Sequence, residues 1–151
     1  LNATYIAYGQ HGAASRARQE ATDAMNYSMN KSAAAQRVSV KGKKELYNNS
    51  SWDLVDAAAT DPGIVNKVDR KTLPAEYRAK SNEELQQIII AKSKERTAIQ
   101  KKIAEISAKR EAYIAAEQAK KAGDKSNQPT LYTEIEKIIT KQVQRYNMKI
   151  K

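Results

Sequence analysis

The sequence predicts an all-α protein: an extended helical assembly round one long central helix, with an antiparallel helical hairpin at the C-terminal end. Three observations carry that expectation. From Ser81 to Ala122 the chain runs 42 residues without glycine or proline, the two residues that interrupt helices most strongly. Within that run Leu85, Ile89, Lys92, Arg96, Ile99, Ile103, Ile106, Arg110, Tyr113 and Glu117 alternate in steps of four and three. That is heptad spacing, so they form one coiled-coil-like seam on a helix roughly 60 Å long at ~1.5 Å per residue. Finally, Leu, Ile and Val total 25 of 151 residues and Phe is absent, while alanine is the commonest residue. So little large aliphatic volume borders on a disordered composition, and its periodic placement among alanines argues for helices round a thin core.

A rod of that length cannot bury its seam against itself and needs a partner helix. Ahead of it, Tyr5 to Gly12 reads as an extended lead-in and a turn at Gly9 and Gly12. Ala13 to about Met29 is rich in Ala, Arg, Gln and Glu and predicts a helix. Ser32 is placed to cap a second helix over Ala33 to about Val40, with Gly42 a weak point before Leu46. Ser51 is placed to cap a short third helix, Trp52 to Ala59, which Asp61-Pro62-Gly63 stops. Ile64 to Lys80 reads as an irregular connector in which Pro74 opens one helical turn through Tyr77. Ser81 and Glu84 form a capping box for the long helix, which Gly123 ends. Asp124 to Pro129 is then a polar turn, and Thr130 caps a last helix. On that helix Tyr132, Ile135, Ile139, Tyr146 and Ile150 share a stripe, with Val143 beside it. It spans only about half the seam, so Leu85 to Arg96 must pack on the N-terminal helices or on something outside this chain. Residues 1–80 and 81–151 are thus two parts of one structural unit.

The formal charge is +10 and cysteine is absent, which excludes a disulfide framework and a thiolate metal site. No apolar run reaches the ~20 residues of a membrane span; the tightest cluster is Ile88-Ile89-Ile90. No signal pattern opens the chain, and Leu1 in place of Met points to a processed or trimmed start.

The residues offer little chemistry. His11 is the only histidine and lacks the companions that a zinc site or a Ser–His pair would need. No glycine-rich phosphate loop, nucleophile–base pair or buried carboxylate pair is evident, so no catalytic, metal or cofactor site is expected. Trp52, Asp53, Leu54 and Asp56 are candidates for packing or docking: a recognition motif, or a plug between helices with Asp53 facing a helix N-terminus. Leu85, Ile88 and Ile89 are the corresponding candidates on the long helix. Arg96 and Arg110 interrupt the apolar seam. They imply a cross-helix ion pair (Glu134 or Glu136 for Arg110) or a register device, unless the stripe drifts and both snorkel to water. Met25, Tyr27 and Met29 are expected to pack against neighbouring helices. Lys101, Lys102, Lys109, Arg110, Lys120 and Lys121 make the long helix basic, although Glu95, Glu105, Glu111 and Glu117 interrupt the run. Glu105–Lys109 and Glu117–Lys121 are favourable i,i+4 pairs. No base-reading motif accompanies them, so specific nucleic-acid binding is not expected.

The opening Leu1-Asn2-Ala3-Thr4-Tyr5-Ile6-Ala7-Tyr8-Gly9 resembles the stretch that follows a von Willebrand factor type A domain in a group of bacterial proteins. Leu46-Tyr47-Asn48-Asn49-Ser50-Ser51-Trp52-Asp53-Leu54-Val55-Asp56-Ala57 is similar to the run that comes next there. Leu73-Pro74, Arg96, Ile99-Gln100 and the Arg110, Tyr113-Ile114 spacing follow in the same order. The resemblance implies a protein of a type that is often exported, periplasmic or otherwise, with a signal peptide and the A domain ahead of this region. The Asp-x-Ser-x-Ser loop of the adhesion site is absent here, so any cation-dependent adhesion would lie outside these residues. The expected function is a non-catalytic scaffold or interaction region, a spacer or docking surface. Its partners would be its own A domain, another protein or a second copy. The alternative is a basic module for polyanions, either nucleic acid or an anionic membrane surface.

Overall fold

The longest element is a single helix of 41 residues. The computed structural model describes residues 1–122 and 131–146. Helix α1 covers Gly12–Met29, α2 Lys31–Gly42, α3 Leu54–Thr60, α4 Ile64–Lys67, α5 Ala75–Arg78, α6 Asn82–Ala122 and α7 Leu131–Arg145. Short 3-10 turns occupy Asn2–Thr4 and Arg70–Thr72. Among the described residues there is no strand, only an antiparallel bridge between Ala7 and Asp53. The fold is all-α with a long central helix, as the sequence predicts. Its two compact units are Leu1–Lys109 and Arg110–Lys151.

Helix α6 starts as its sequence requires. The Ser81 amide donates to Glu84 Oε2 at 2.8 Å and the Glu84 amide donates to Ser81 Oγ at 3.1 Å, a closed capping box. Two other caps differ from expectation. Helix α3 is capped by Asp53 rather than Ser51, and begins at Leu54 rather than Trp52. The reason is long-range: the Tyr8 amide donates to the Trp52 carbonyl at 2.8 Å, which holds Trp52 outside the helix. Helix α2 is capped by Asn30, whose Oδ1 accepts from the Ala33 amide at 2.8 Å, rather than by Ser32. Asn30 is the single extended residue between α1 and α2, so the corner and the cap are one residue.

Ile6, Leu54, Val55, Val65, Leu73, Leu85 and Ile89 form the buried core. Thus the N-terminal seam residues Leu85 and Ile89 pack on the extended N-terminal segment, on α3 and α4, and on the connector. That connector is more regular than predicted. It carries α4, a 3-10 turn and α5, because Val65 and Leu73 anchor it to the core. Helix α2 approaches α6 further along, where a Cβ on Gly42 would lie 2.7 Å from Ile103 Cγ2. Ile103 is β-branched and cannot swing that methyl aside within a helix. Gly42→Ala is therefore expected to destabilise the protein by about 1–3 kcal/mol, despite alanine's better helix propensity. Ile103→Ala should reverse the sign of the alanine effect, as read from denaturant midpoints.

Beyond Arg96 the seam opens. Ile99 and Ile103 are half-buried, whereas Ile106 is 56% and Tyr113 68% exposed. Ile135, Ile138, Ile139 and Tyr146 of α7 are exposed too. The cover predicted for the distal seam is not present at these positions. Gly123, the Asp124–Pro129 turn, Thr130, Ile150 and the Tyr132 and Lys121 side chains lie outside the described residues.

Candidate functional site

Thr4, the last residue of the first 3-10 turn, and the non-helical Tyr5 to Ala7 are buried and run between α3 and α6. Their carbonyls and amides need partners there. The Leu54 amide donates to the Ile6 carbonyl at 2.8 Å, and the Ile6 amide donates to Asp53 Oδ1 at 2.8 Å. Asp53 also caps α3, accepting from the Val55 and Asp56 amides. From α6, Arg96 reaches into the same space. Its Nη1 donates to Asp53 Oδ2 at 2.7 Å and Asp56 Oδ1 at 2.5 Å, while its Nε and Nη2 donate to Thr4 Oγ1 and the Thr4 carbonyl. Four of the five guanidinium donors are thereby used. Burial pushes the Asp53 carboxyl up, while Arg96 and the Ile6 amide pull it back. With these acceptors taken by the protein's own donors, the cluster is a clasp that joins the N-terminal segment, α3 and α6.

Tyr5 lies over the clasp, its ring 4.8 Å from the Arg96 guanidinium and 5.3 Å from the Trp52 ring. Burial pushes its hydroxyl up to about 12. A folded pKa above the ordinary value of about 10 gives stability that is complete below pH 10 and lost as pH rises through the folded value. Tyr5→Phe should remove the last-ionising phenol from an ultraviolet titration. It should also flatten the loss of stability between pH ~10 and about 12.

A second polar cluster holds the α1–α2 corner together. Asp23 of α1 pairs with Lys41 of α2 and with Arg37 at 2.9 Å, and accepts from the Asn2 side-chain Nδ2 at 2.9 Å. Burial alone would raise Asp23, but Lys41, Asn2 and Arg37 outweigh it and hold the carboxyl below its ordinary value. This cluster floors an open groove of about 790 Å³ whose apolar walls include Tyr27, Val38, Ile99 and Ile103.

Each residue singled out in the sequence has a definite place. Trp52, Asp53, Leu54 and Asp56 meet Tyr5, Ile6 and Arg96, so they join elements within Leu1–Lys109. Leu85 and Ile89 are buried in the core, with Ile88 against it. Arg96 forms the cross-element ion pair expected of a seam arginine, with Asp53 and Asp56. Arg110 is half-buried on α6, and Glu134 pairs with Lys137 within α7 at 2.8 Å. Glu117 pairs with Lys120 at 2.7 Å; the predicted partner, the Lys121 side chain, lies outside the described residues. His11 is an exposed N-cap residue of α1. Met25, Tyr27 and Met29, predicted to pack between helices, are 59%, 79% and 64% exposed. They lie at the end of α1 nearest the corner, where α2 turns away at Asn30. Sequence reasoning missed Thr4, Asp23 and Lys41, which carry no local signal of their partners.

Among the described residues no cluster of three or more His, Cys, Asp or Glu side chains could hold a metal ion, and no helix is long and apolar enough to cross a membrane. No family model matches the chain, and neither a curated protein nor a solved structure matches it.

Proposed function

We propose that the chain is a non-catalytic helical scaffold, the C-terminal region of an exported von Willebrand type A domain protein, serving as a spacer and docking surface. One observation carries the reading: the first stretch of the chain, from Ala3 to Gly9, is fastened to the rest of Leu1–Lys109. Lys92 Nζ donates to the Ala3 carbonyl at 2.8 Å, Arg96 holds Thr4, and the Gly9 amide donates to Thr72 Oγ1 at 3.0 Å. A domain joined ahead of Leu1 would thus be held at a set position on α6 instead of swinging on a tether. The apolar groove beside Asn2 would take a surface of that domain.

Hydrogen exchange tests the scaffold. The amides of Ile6, Tyr8 and Leu54 should exchange as slowly as that of Ile89 in the core. Fast exchange at Ile6 and Tyr8, like that of a frayed end, would refute it. The A-domain context is tested separately by the gene upstream of Leu1. A strand–helix pattern with Asp-x-Ser-x-Ser supports it, and an unrelated sequence refutes it.

A further inference from the structure

We propose that α7 is a membrane-surface helix whose apolar face lies on anionic phospholipid. The inference concerns Arg110–Lys151 alone and does not rest on the scaffold reading. At ~100° per residue, Ile135, Ile138, Ile139, Gln142, Val143 and Tyr146 fall within an arc of about 140°. Lys137, Lys141, Arg145, Thr140, Gln144, Glu134 and Glu136 occupy the remainder. The three isoleucines are 45%, 59% and 49% exposed, so the helix leaves its apolar face in water. A helix of 15 residues is marginal without something to cover that face.

Charge complementarity selects the occupant. Arg145 borders the apolar arc on one side and Lys141 lies about 60° from that edge, so their stems can carry the charged heads to a headgroup layer; Glu136 borders the other side. Tyr146 sits on the arc near the helix end, a side chain suited to the interface. Glu134 is already paired with Lys137 at 2.8 Å, which reduces its opposition to an anionic surface. The sequence past Tyr146 adds Lys149 and Lys151. At +10 per chain, a second copy would meet like charge, whereas an anionic leaflet attracts it. Because no helix among the described residues is long and apolar enough to span a bilayer, the contact is peripheral.

The test is co-sedimentation of the full chain with vesicles of phosphatidylglycerol and phosphatidylcholine, beside vesicles of phosphatidylcholine alone. Binding is expected only with the anionic lipid, weakening as salt rises. Ile138→Ser with Ile139→Ser should weaken it by at least about tenfold, because their apolar transfer is lost. Lys141→Gln with Arg145→Gln keeps good helix formers and the apolar face, and should weaken binding several-fold. Unchanged helical circular dichroism of the full chain shows that these variants keep α7 folded. No binding, equal binding to phosphatidylcholine alone, or binding indifferent to both pairs of substitutions overturns the proposal. So does a self-association that the serine variants abolish in the absence of lipid, which would make a second copy the cover.

Discussion

Arg96→Met is expected to lower the stability of Leu1–Lys109 by about 3–5 kcal/mol, read from urea or guanidinium unfolding. The substitution keeps an unbranched stem in the same volume but strands Asp53, which is fully buried, without its counter-ion. Thr4 loses two donors in the same step. The loss should depend on pH, and its sign follows from Asp53. Without the guanidinium the folded-state pKa of Asp53 rises further above its unfolded value. The variant's deficit is then smallest below the unfolded value of about 4 and grows as pH rises through the folded one. Asp53→Asn in the Arg96→Met background should restore much of the stability, since the amide oxygen still accepts from the Ile6 amide and no charge remains to desolvate. Equal deficits at pH 4 and pH 8 would show that the side chain's packing, and not the charge pair, is what matters.

Leu85→Ala should cost about 2–5 kcal/mol, whereas Ile106→Ala on the same helix should stay within ~0.5 kcal/mol. The two positions belong to one heptad seam in the sequence, yet Leu85 is fully buried and Ile106 is 56% exposed. Leu85 belongs to the buried cluster with Ile6, Leu54, Val55, Val65, Leu73 and Ile89, so truncating it leaves a void among side chains held by other elements. At Ile106 water already meets most of the side chain, and little transfer free energy is available to lose. Paired denaturation curves decide the matter. Similar large losses at both positions would mean that the distal seam is covered in solution.

Much of the helical frame was legible because its signals are local. Ser81 and Glu84 stand three residues apart, and the long helix contains neither glycine nor proline, so its start and continuity depend on no distant residue. The need of Arg96 for a partner was legible from its place on an apolar seam. The partners were not, because Asp53 and Asp56 lie 43 and 40 residues away, behind an extended segment whose pairing leaves no periodic trace. That long-range pairing also moved the start of α3. Trp52 would extend the helix by local rules, but the Tyr8 amide claims its carbonyl first. The exposure of Met25 and Met29 was illegible for a related reason: residue type gives the cost of exposure but not the angle at which α2 leaves Asn30.

Asp53 serves at once as counter-ion to α6, cap of α3 and acceptor for the N-terminal segment. None of these elements can leave without depriving the other two of a ligand for the same buried carboxylate. Melting of Leu1–Lys109 is therefore expected to be cooperative and all-or-none, with calorimetric and van't Hoff enthalpies in agreement.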